Sequence, residues 1–360
     1  MSKIIFRDLD FGLLVPVVIL SVLSLVTLFS LNPLFFNGQL ILFLLSVFIF
    51  IFISQSNLDI LKFFSKHIYI FSLVIFSVVL ILGIESRGAV RWIELFGLRI
   101  QFSEILKPFL AIVLASHLSN IKYFNFKEFL QVFILLAPLF FLIYLQPDLG
   151  NAIIYALVVI CALLFAGFPF RYFLFVSVPF ALAIPFLFQF LHDYQKQRIL
   201  TFVNSSSDPL GTSYNVIQSV IAVGSGMISG KGIGQGTQSG LRFLPERQTD
   251  FIFATISEQL GFIGVAIVLF CFGFILYKIM KYIINTQNKF HRNFLAIFFF
   301  VIAVQLFVNI GMNMGIMPIV GITLPFVSYG GSSLVSNFIF LGLLTSISKA
   351  YKDRETLSIR

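Results

Sequence analysis

The sequence predicts an all-α polytopic membrane protein of about ten transmembrane helices, with one long extracytoplasmic loop between helices 7 and 8. Three observations carry this: a mean hydropathy of +1.01, a charged fraction of 11% against 59% hydrophobic residues, and apolar runs of hydrocarbon length along the whole chain. Soluble domains carry roughly 25% charged residues. A run of about 20 apolar residues crosses a hydrocarbon core of ~30 Å as a helix. Lipid imposes that conformation because the backbone must satisfy its own hydrogen bonds there. A β-barrel would show alternating segments of about ten residues, and these runs do not alternate.

Breaking the chain at its polar clusters gives spans at roughly 11–31, 38–54, 68–84, 103–119, 130–146, 150–167, 170–190, 252–278, 294–316 and 323–347. A single integral membrane domain over residues 1–360 is expected, with no soluble domain appended at either end. The long polar stretch is 192–251, and the other connections are short. The first ten residues include Asp8 and Asp10, and no small-residue cleavage site follows the first apolar run. A retained first helix is therefore expected rather than a cleaved signal peptide. Cys161 and Cys271 lie inside apolar runs, where packing is their expected role. The four histidines are scattered and match no metal-ligand spacing.

Orientation follows from the basic residues. With the N-terminus inside, 15 of the 24 basic residues and six of the 15 acidic ones fall on the cytoplasmic side. The opposite side holds nine of each, so the formal net charge of +9 belongs to the inner face. Both termini are then cytoplasmic. A basic balance of this kind reports membrane topology, not nucleic-acid binding. The balanced charges on the outer side need another reason, since ionisable groups beside spans are costly and tend to be functional.

Those outer charges fall into clusters. In Phe102-Ser-Glu-Ile-Leu-Lys107, Ser103 suits a helix N-cap and Glu104 a first turn. Glu104 and Lys107 share a helix face and can pair, either to make the span end tolerable or to wall a cavity. The single tryptophan, Trp92, fits an interfacial anchor. Asp148, in the turn Gln146-Pro-Asp-Leu-Gly150, either caps the next helix or offers charge to a cavity. The glycine run from Gly224 to Gly236 is not a phosphate loop. Three residues separate Gly226 from Gly230 where four are needed, and Gly232 stands where Ser or Thr should follow the lysine. A flexible, close-packing loop is the better reading. Asp250 ends the long loop directly before an apolar run, with Glu246, Arg247 and Glu258 expected on nearby turns. Partial desolvation there favours a basic carboxylate, while an N-cap by Asp250 or Thr249 is the simpler role. The Gly-, Pro- and Ser-rich stretch from Gly311 to Ser333 suggests broken, closely packed helices lining a cavity.

Taken together, Phe102-Ser-Glu-Ile-Leu-Lys107, Gln146-Pro-Asp-Leu-Gly150, Asp208-Pro-Leu-Gly211, Leu244-Pro-Glu-Arg-Gln-Thr-Asp-Phe-Ile-Phe253 and Pro325-Phe-Val-Ser-Tyr-Gly-Gly-Ser-Ser333 resemble the motifs of the SEDS family (shape, elongation, division and sporulation). The resemblance covers nearly the whole chain in order, and its elongation (RodA-like) branch is nearer than its division branch. One departure is Phe-Ser-Glu at 102–104, where many members read Gln-Pro-Ser-Glu. The resemblance implies a peptidoglycan glycosyltransferase with ten spans in the bacterial cytoplasmic membrane. It would polymerise lipid II at the outer leaflet together with a class B penicillin-binding protein. It places the family's essential loop aspartate on Asp250, and its polar cavity on Glu104, Lys107 and Asp148.

Under that reading Asp250 is the general base for the acceptor sugar hydroxyl. The diphosphate leaving group needs charge neutralisation, for which Lys107, Arg198, Arg247 or a divalent cation (Mg or Mn) are candidates. Glu246 and Arg247 complete the expected substrate-binding set. The competing class is a flippase or lipid-precursor transporter, for which broken helices and cavity charges are equally natural. Charges gathered at one end of the spans favour the transferase.

Overall fold

The computed structural model describes residues 10–86, 89–95, 98–190, 193–203 and 213–358. The Asp208-Pro-Leu-Gly211 motif lies outside them. The chain enters α1 (Phe11–Leu31) through Asp10, whose carboxylate accepts the Gly12 N–H. Asn32 then ends α1 and caps α2 (Pro33–Ile53), where Pro33 fills a first-turn position that needs no donor. The expected span 38–54 therefore begins a turn earlier. Short α3 (Leu58–Phe63) leads into α4 (Ser65–Leu82).

Within this all-α fold, a short sheet that the sequence reading did not anticipate follows. Residues 84–100 form an antiparallel sheet of β1 (Ile84–Ser86), β2 (Ala89–Leu95) and β3 (Leu98–Ile100). Ile84 pairs with Trp92, and Glu94 with Arg99. Alternation of Val90, Trp92 and Glu94 with Arg91 and Ile93 is a strand pattern, too short to stand out beside hydrocarbon-length runs.

The expected span 103–119 is two pieces, α5 (Phe102–Ile105) and α6 (Lys107–Asn120), joined at Leu106. Asn125 caps α7 (Phe126–Leu145) and Asp148 caps α8 (Leu149–Ala166), which ends on left-handed Gly167. Helix α9 (Phe170–Gln189) carries an apolar stretch over Phe170–Phe186. The polar region contains α10 (Asp193–Val203), α11 (Tyr214–Ser225) and α12 (Thr237–Gly240). Three long helices close the chain: α13 (Ile252–Asn285), α14 (Lys289–Asn313) and α15 (Gly331–Ser358). Among the described residues eight helices are long and apolar enough to cross a membrane, namely α1, α2, α4, α7, α8, α13, α14 and the apolar part of α15.

Helices α14 and α15 are the most enclosed of these, and α2 and α4 the least. Helix α15 lies along α2, while α14 packs on α6, α8 and α13. One end of the bundle is tied by Asp10 to Lys278 at 3.1 Å and to the Tyr282 hydroxyl at 2.7 Å. The other end carries the sheet, the 146–148 turn, the long loop and the 314–330 segment.

Helix α13 is broken at Gly261, whose φ of 62° and ψ of −156° are not helical. The freed backbone groups find partners in the glycine run. Phe262 N–H donates to Met227 O at 2.9 Å, Lys231 N–H to Glu258 O at 2.9 Å, and Gly232 N–H to Gln259 O at 3.0 Å. Side chains at Gly226 or Gly230 would collide with the backbone carbonyls of Ser257 and Gln259. The glycines serve close approach to a broken span, which must not leave polar backbone groups facing lipid.

Candidate active site

A cavity of about 670 Å³ opens where β2, β3, α5, the 146–150 turn, the end of the long loop and residues 320–335 meet. Six charged residues line it: Arg91, Arg99, Arg198, Glu104, Glu246 and Asp250. Leu42, Leu45 and Ile49 of α2 give it an apolar flank. The cavity thus brings together four of the seven residues expected from sequence, and places the other three behind its wall.

Asp148 is one of those three. It is wholly enclosed and accepts hydrogen bonds at one oxygen from the Gln101 amide at 2.9 Å, the Ser103 hydroxyl at 2.8 Å and the Asn151 amide at 2.9 Å. Its other oxygen pairs with the Arg91 guanidinium at 3.4 Å. Gln101 and Arg91 line the cavity; Asp148 holds them there. Ser103 is therefore no N-cap, because its hydroxyl is spent on Asp148. Residue Gln101 precedes α5 and makes no capping bond.

Burial alone would raise the Asp148 pKa, yet Arg91 and then the donors Asn151, Ser103 and Gln101 outweigh it, and the carboxyl titrates below its ordinary value. The native carboxylate is favoured, so its stabilisation is complete above the ordinary aspartate pKa of about 3.9. It is lost as pH falls through the lower native value. Asp148→Asn is expected to cost roughly 2–3 kcal/mol at pH 7, and to flatten the loss of stability below about pH 4. Thermal unfolding of detergent-solubilised protein between pH 3 and 7 checks both; coincident acid limbs would refute the assignment.

Lys107 is also behind the wall. Its ammonium bonds Glu104 Oε1 at 2.7 Å, and its stem lies among Leu110, Leu114 and Tyr155. Glu104 reaches the cavity; Lys107 does not. Arg247, the third, is buried with its guanidinium donating to Ser239 O. Glu258, expected near Asp250, is turned into the glycine-rich loop. It accepts from Gln238 N–H, from Ser239 N–H and Oγ–H, and from Lys231 Nζ at 2.8, 2.8, 2.7 and 3.2 Å.

Neither Asp250 nor Thr249 is the N-cap of α13, since Phe251 takes that position with no side-chain bond. Its flanking backbone is held instead. Asn309 and Asn313 donate to Asp250 O at 3.1 and 3.0 Å, the Ser328 hydroxyl donates to Thr249 O at 2.7 Å, and Tyr329 N–H donates to Gln248 O at 2.9 Å. A methyl group at Gly321 would lie 3.5 Å from Asp250 Oδ2 and 3.9 Å from Arg198 Nη1. The carboxylate and the guanidinium therefore converge on one point of the wall, where Gly321 has a φ of +73° that suits glycine.

Sequence reasoning missed Arg91, Arg99 and the placement of Trp92. All three sit on the hairpin and line the cavity, so Trp92 is a wall residue rather than only an anchor. The strand alternation of residues 89–95 was the signal. Among the described residues no three His, Cys, Asp or Glu side chains are grouped closely enough to hold a metal ion.

Comparison with known proteins adds the following. A family model described as a cell cycle protein, FTSW_RODA_SPOVE, matches residues 2–353. The chain is 39% identical over 285 residues to the peptidoglycan glycosyltransferase MrdB of Escherichia coli strain K12, covering 79% of this chain and 77% of that one. It is 35% identical over 300 residues to a probable peptidoglycan glycosyltransferase FtsW of Thiomicrospira cyclica, covering 81% and 75%. A chain in a solved peptidoglycan synthase complex, concerned with structural coordination of polymerization and crosslinking, superposes with a TM-score of 0.82 at 31% identity over 96% of this chain and 98% of that one. The crystal structure of the rod shape determining protein RodA of Thermus thermophilus gives a TM-score of 0.72 at 27% identity, over 96% and 97%.

Proposed function

The chain belongs to the FtsW/RodA/SpoVE family of cell cycle proteins and is a multi-pass membrane peptidoglycan glycosyltransferase of the MrdB/RodA type; from that premise we propose how its cavity extends a glycan strand. The substrate is the lipid-linked disaccharide-pentapeptide lipid II, whose polyprenyl tail and sugar head demand a site that is apolar on one flank and charged on the other. A cavity with Leu42, Leu45 and Ile49 on one side and six charged residues on the other suits it. The positive-inside balance supports a cavity facing the outer side of the cytoplasmic membrane, with both termini cytoplasmic.

In the proposed step the acceptor sugar hydroxyl oxygen attacks the donor anomeric carbon. Asp250 takes its proton as the bond from that carbon to the diphosphate oxygen breaks. The diphosphate leaves as an anion and needs no proton, only compensation of charge. Arg198, which meets Asp250 at Gly321, and the hairpin arginines Arg91 and Arg99 supply it. These replace Lys107 and Arg247, which are engaged elsewhere. One base with a cationic clamp differs from a glycosidase, whose leaving alkoxide needs a second carboxyl as acid. The residues present offer a divalent cation one or two carboxylates, the usual protein share for Mg²⁺ when substrate phosphates complete its shell. Such an ion would add to the charge compensation.

The observation that carries this reading is the convergence of Asp250 and Arg198 on one wall of a charged cavity with an apolar flank. A class B penicillin-binding protein is the proposed partner, supported by likeness to a chain of a complex that couples polymerization with crosslinking. Purified protein with that partner should convert labelled lipid II into glycan strands. Movement of lipid II between leaflets without strand formation would instead make the protein a flippase.

A further inference from the structure

Helix α13 starts at Ile252 without a side-chain cap of its own. The first N–H groups of a helix have no intrahelical partner, and one left bare in the protein interior is costly. Ala254, in that first turn, donates its N–H to Oδ1 of Asn313 at 3.0 Å. Asn313 is the last residue of α14, so the cap is supplied by a different helix. Its Nδ2 donates to Asp250 O at 3.0 Å and to Asn309 O at 2.8 Å. One turn earlier on the same face, Asn309 Nδ2 donates to Asp250 O at 3.1 Å and to Ile322 O at 2.6 Å. Both asparagines are fully buried.

The partners fix the orientation of Asn313. A backbone N–H can only meet the amide oxygen, and two carbonyls can only meet the amide nitrogen. A single side chain therefore grips the helix immediately after Asp250 and the carbonyl of Asp250 itself. Its neighbour adds Ile322, next to Gly321, the wall residue shared by Asp250 and Arg198. Two segments that meet at the reacting carboxylate, the 250–254 entry to α13 and the 321–322 wall, are thus held together by two carboxamides on one helix face. Ser219 on α11 donates to Asn313 O at 2.9 Å and steadies the clamp from behind.

We infer that Asn313, with Asn309 beside it, is a positioning residue for catalysis: it fixes the Asp250 backbone relative to the Gly321 wall, without touching substrate. The inference rests on Asp250 being the proton acceptor. Asparagine is an expensive residue to enclose in a membrane-spanning bundle unless every hydrogen bond is made, and here its side-chain oxygen and nitrogen are both engaged. What that arrangement secures is the register of one carboxylate. Displacement of a catalytic group by about 1 Å can cost on the order of 10²-fold in rate.

The test uses the full-length protein in complex with its partner, with initial rates measured against lipid II concentration and normalised to folded, monodisperse complex. Asn313→Leu keeps the shape and removes every side-chain hydrogen bond of Asn313. Its kcat should fall roughly 10–100-fold with KM within about threefold of wild type, and the acidic limb of the kcat profile should move by about half a pH unit or more. Asn313→Asp keeps the acceptor for Ala254, and should lose roughly 3–10-fold by the same criteria; it carries the test alone if the leucine variant does not fold. A kcat within twofold of wild type overturns the inference. So does a loss borne mainly by KM, or one with an unmoved pH profile, which would make the asparagines folding residues only. Asp250→Asn is assayed in parallel. If it polymerises normally, the base assignment fails and the positioning role falls with it. If it is inactive while the Asn313 variants behave as wild type, only the positioning role fails.

Discussion

Asp250→Asn should abolish strand synthesis, with a loss of roughly 10²–10⁴ in rate, while leaving the protein folded and its substrate bound. The expectation is sharp because hydrogen bonds to the main chain of residues 248–250 fix its position. Asn309 and Asn313 donate to its carbonyl, and Ser328 and Tyr329 bind the residues before it. An amide of the same shape keeps all of them. What it loses is the capacity to take a proton from an attacking hydroxyl. The partner complex should therefore assemble normally and retain labelled lipid II, yet yield no polymer on a gel. Glu246 is the natural rival, since it lines the same cavity four residues away. Should Glu246→Gln be the silent variant and Asp250→Asn polymerise at the normal rate, the base would have to be reassigned to Glu246.

How far this site was legible in the sequence depends on the kind of signal each residue leaves. Hydrocarbon-length runs announce spans directly, which is why α1, α8 and α13 begin within a residue or two of their expected starts. Asp250 was legible because a carboxylate at the edge of an apolar run is conspicuous. The direction in which a charged side chain turns leaves no such trace. Arg247 and Glu258 are close to Asp250 in sequence, yet both engage the glycine-rich loop around Ser239. Arg91 and Arg99 are remote in sequence but arrive at the cavity through a hairpin only a few residues long per strand. Short period-two patterns compete poorly with period-3.6 hydrophobicity in so apolar a chain. The asparagine clamp was invisible for a different reason: its partners are backbone atoms, which every residue carries.

Lys107→Met should destabilise the protein by about 3–5 kcal/mol, and most of that loss should be recovered by adding Glu104→Gln. The pair is a buried salt bridge at 2.7 Å, with 3% of the lysine and 9% of the glutamate side chain exposed. It spans the break at Leu106 between α5 and α6. Lys107 stands at the start of α6, where the helix dipole disfavours a cation, so the local backbone does not explain its presence. Glu104 does. The reverse also holds: Glu104 Oε2 has no hydrogen-bond partner among the described residues, so the carboxylate leans on Lys107 through its other oxygen. Removing the ammonium leaves the buried Glu104 carboxylate without its ion-pair partner. Neutralising both partners removes that penalty, since a buried pair exchanged for uncharged residues of similar volume is often neutral in stability. Denaturation of the single and double variants in detergent gives the coupling energy directly. A Lys107→Met protein as stable as wild type, or a double variant no better than the single, would show that the pair is not coupled in this way. Recovery of the fold should not restore polymerisation fully. Glu104 lines the large cavity and Lys107 does not, so the stable double variant separates what the Glu104 charge does for polymerisation from what it does for the helix break.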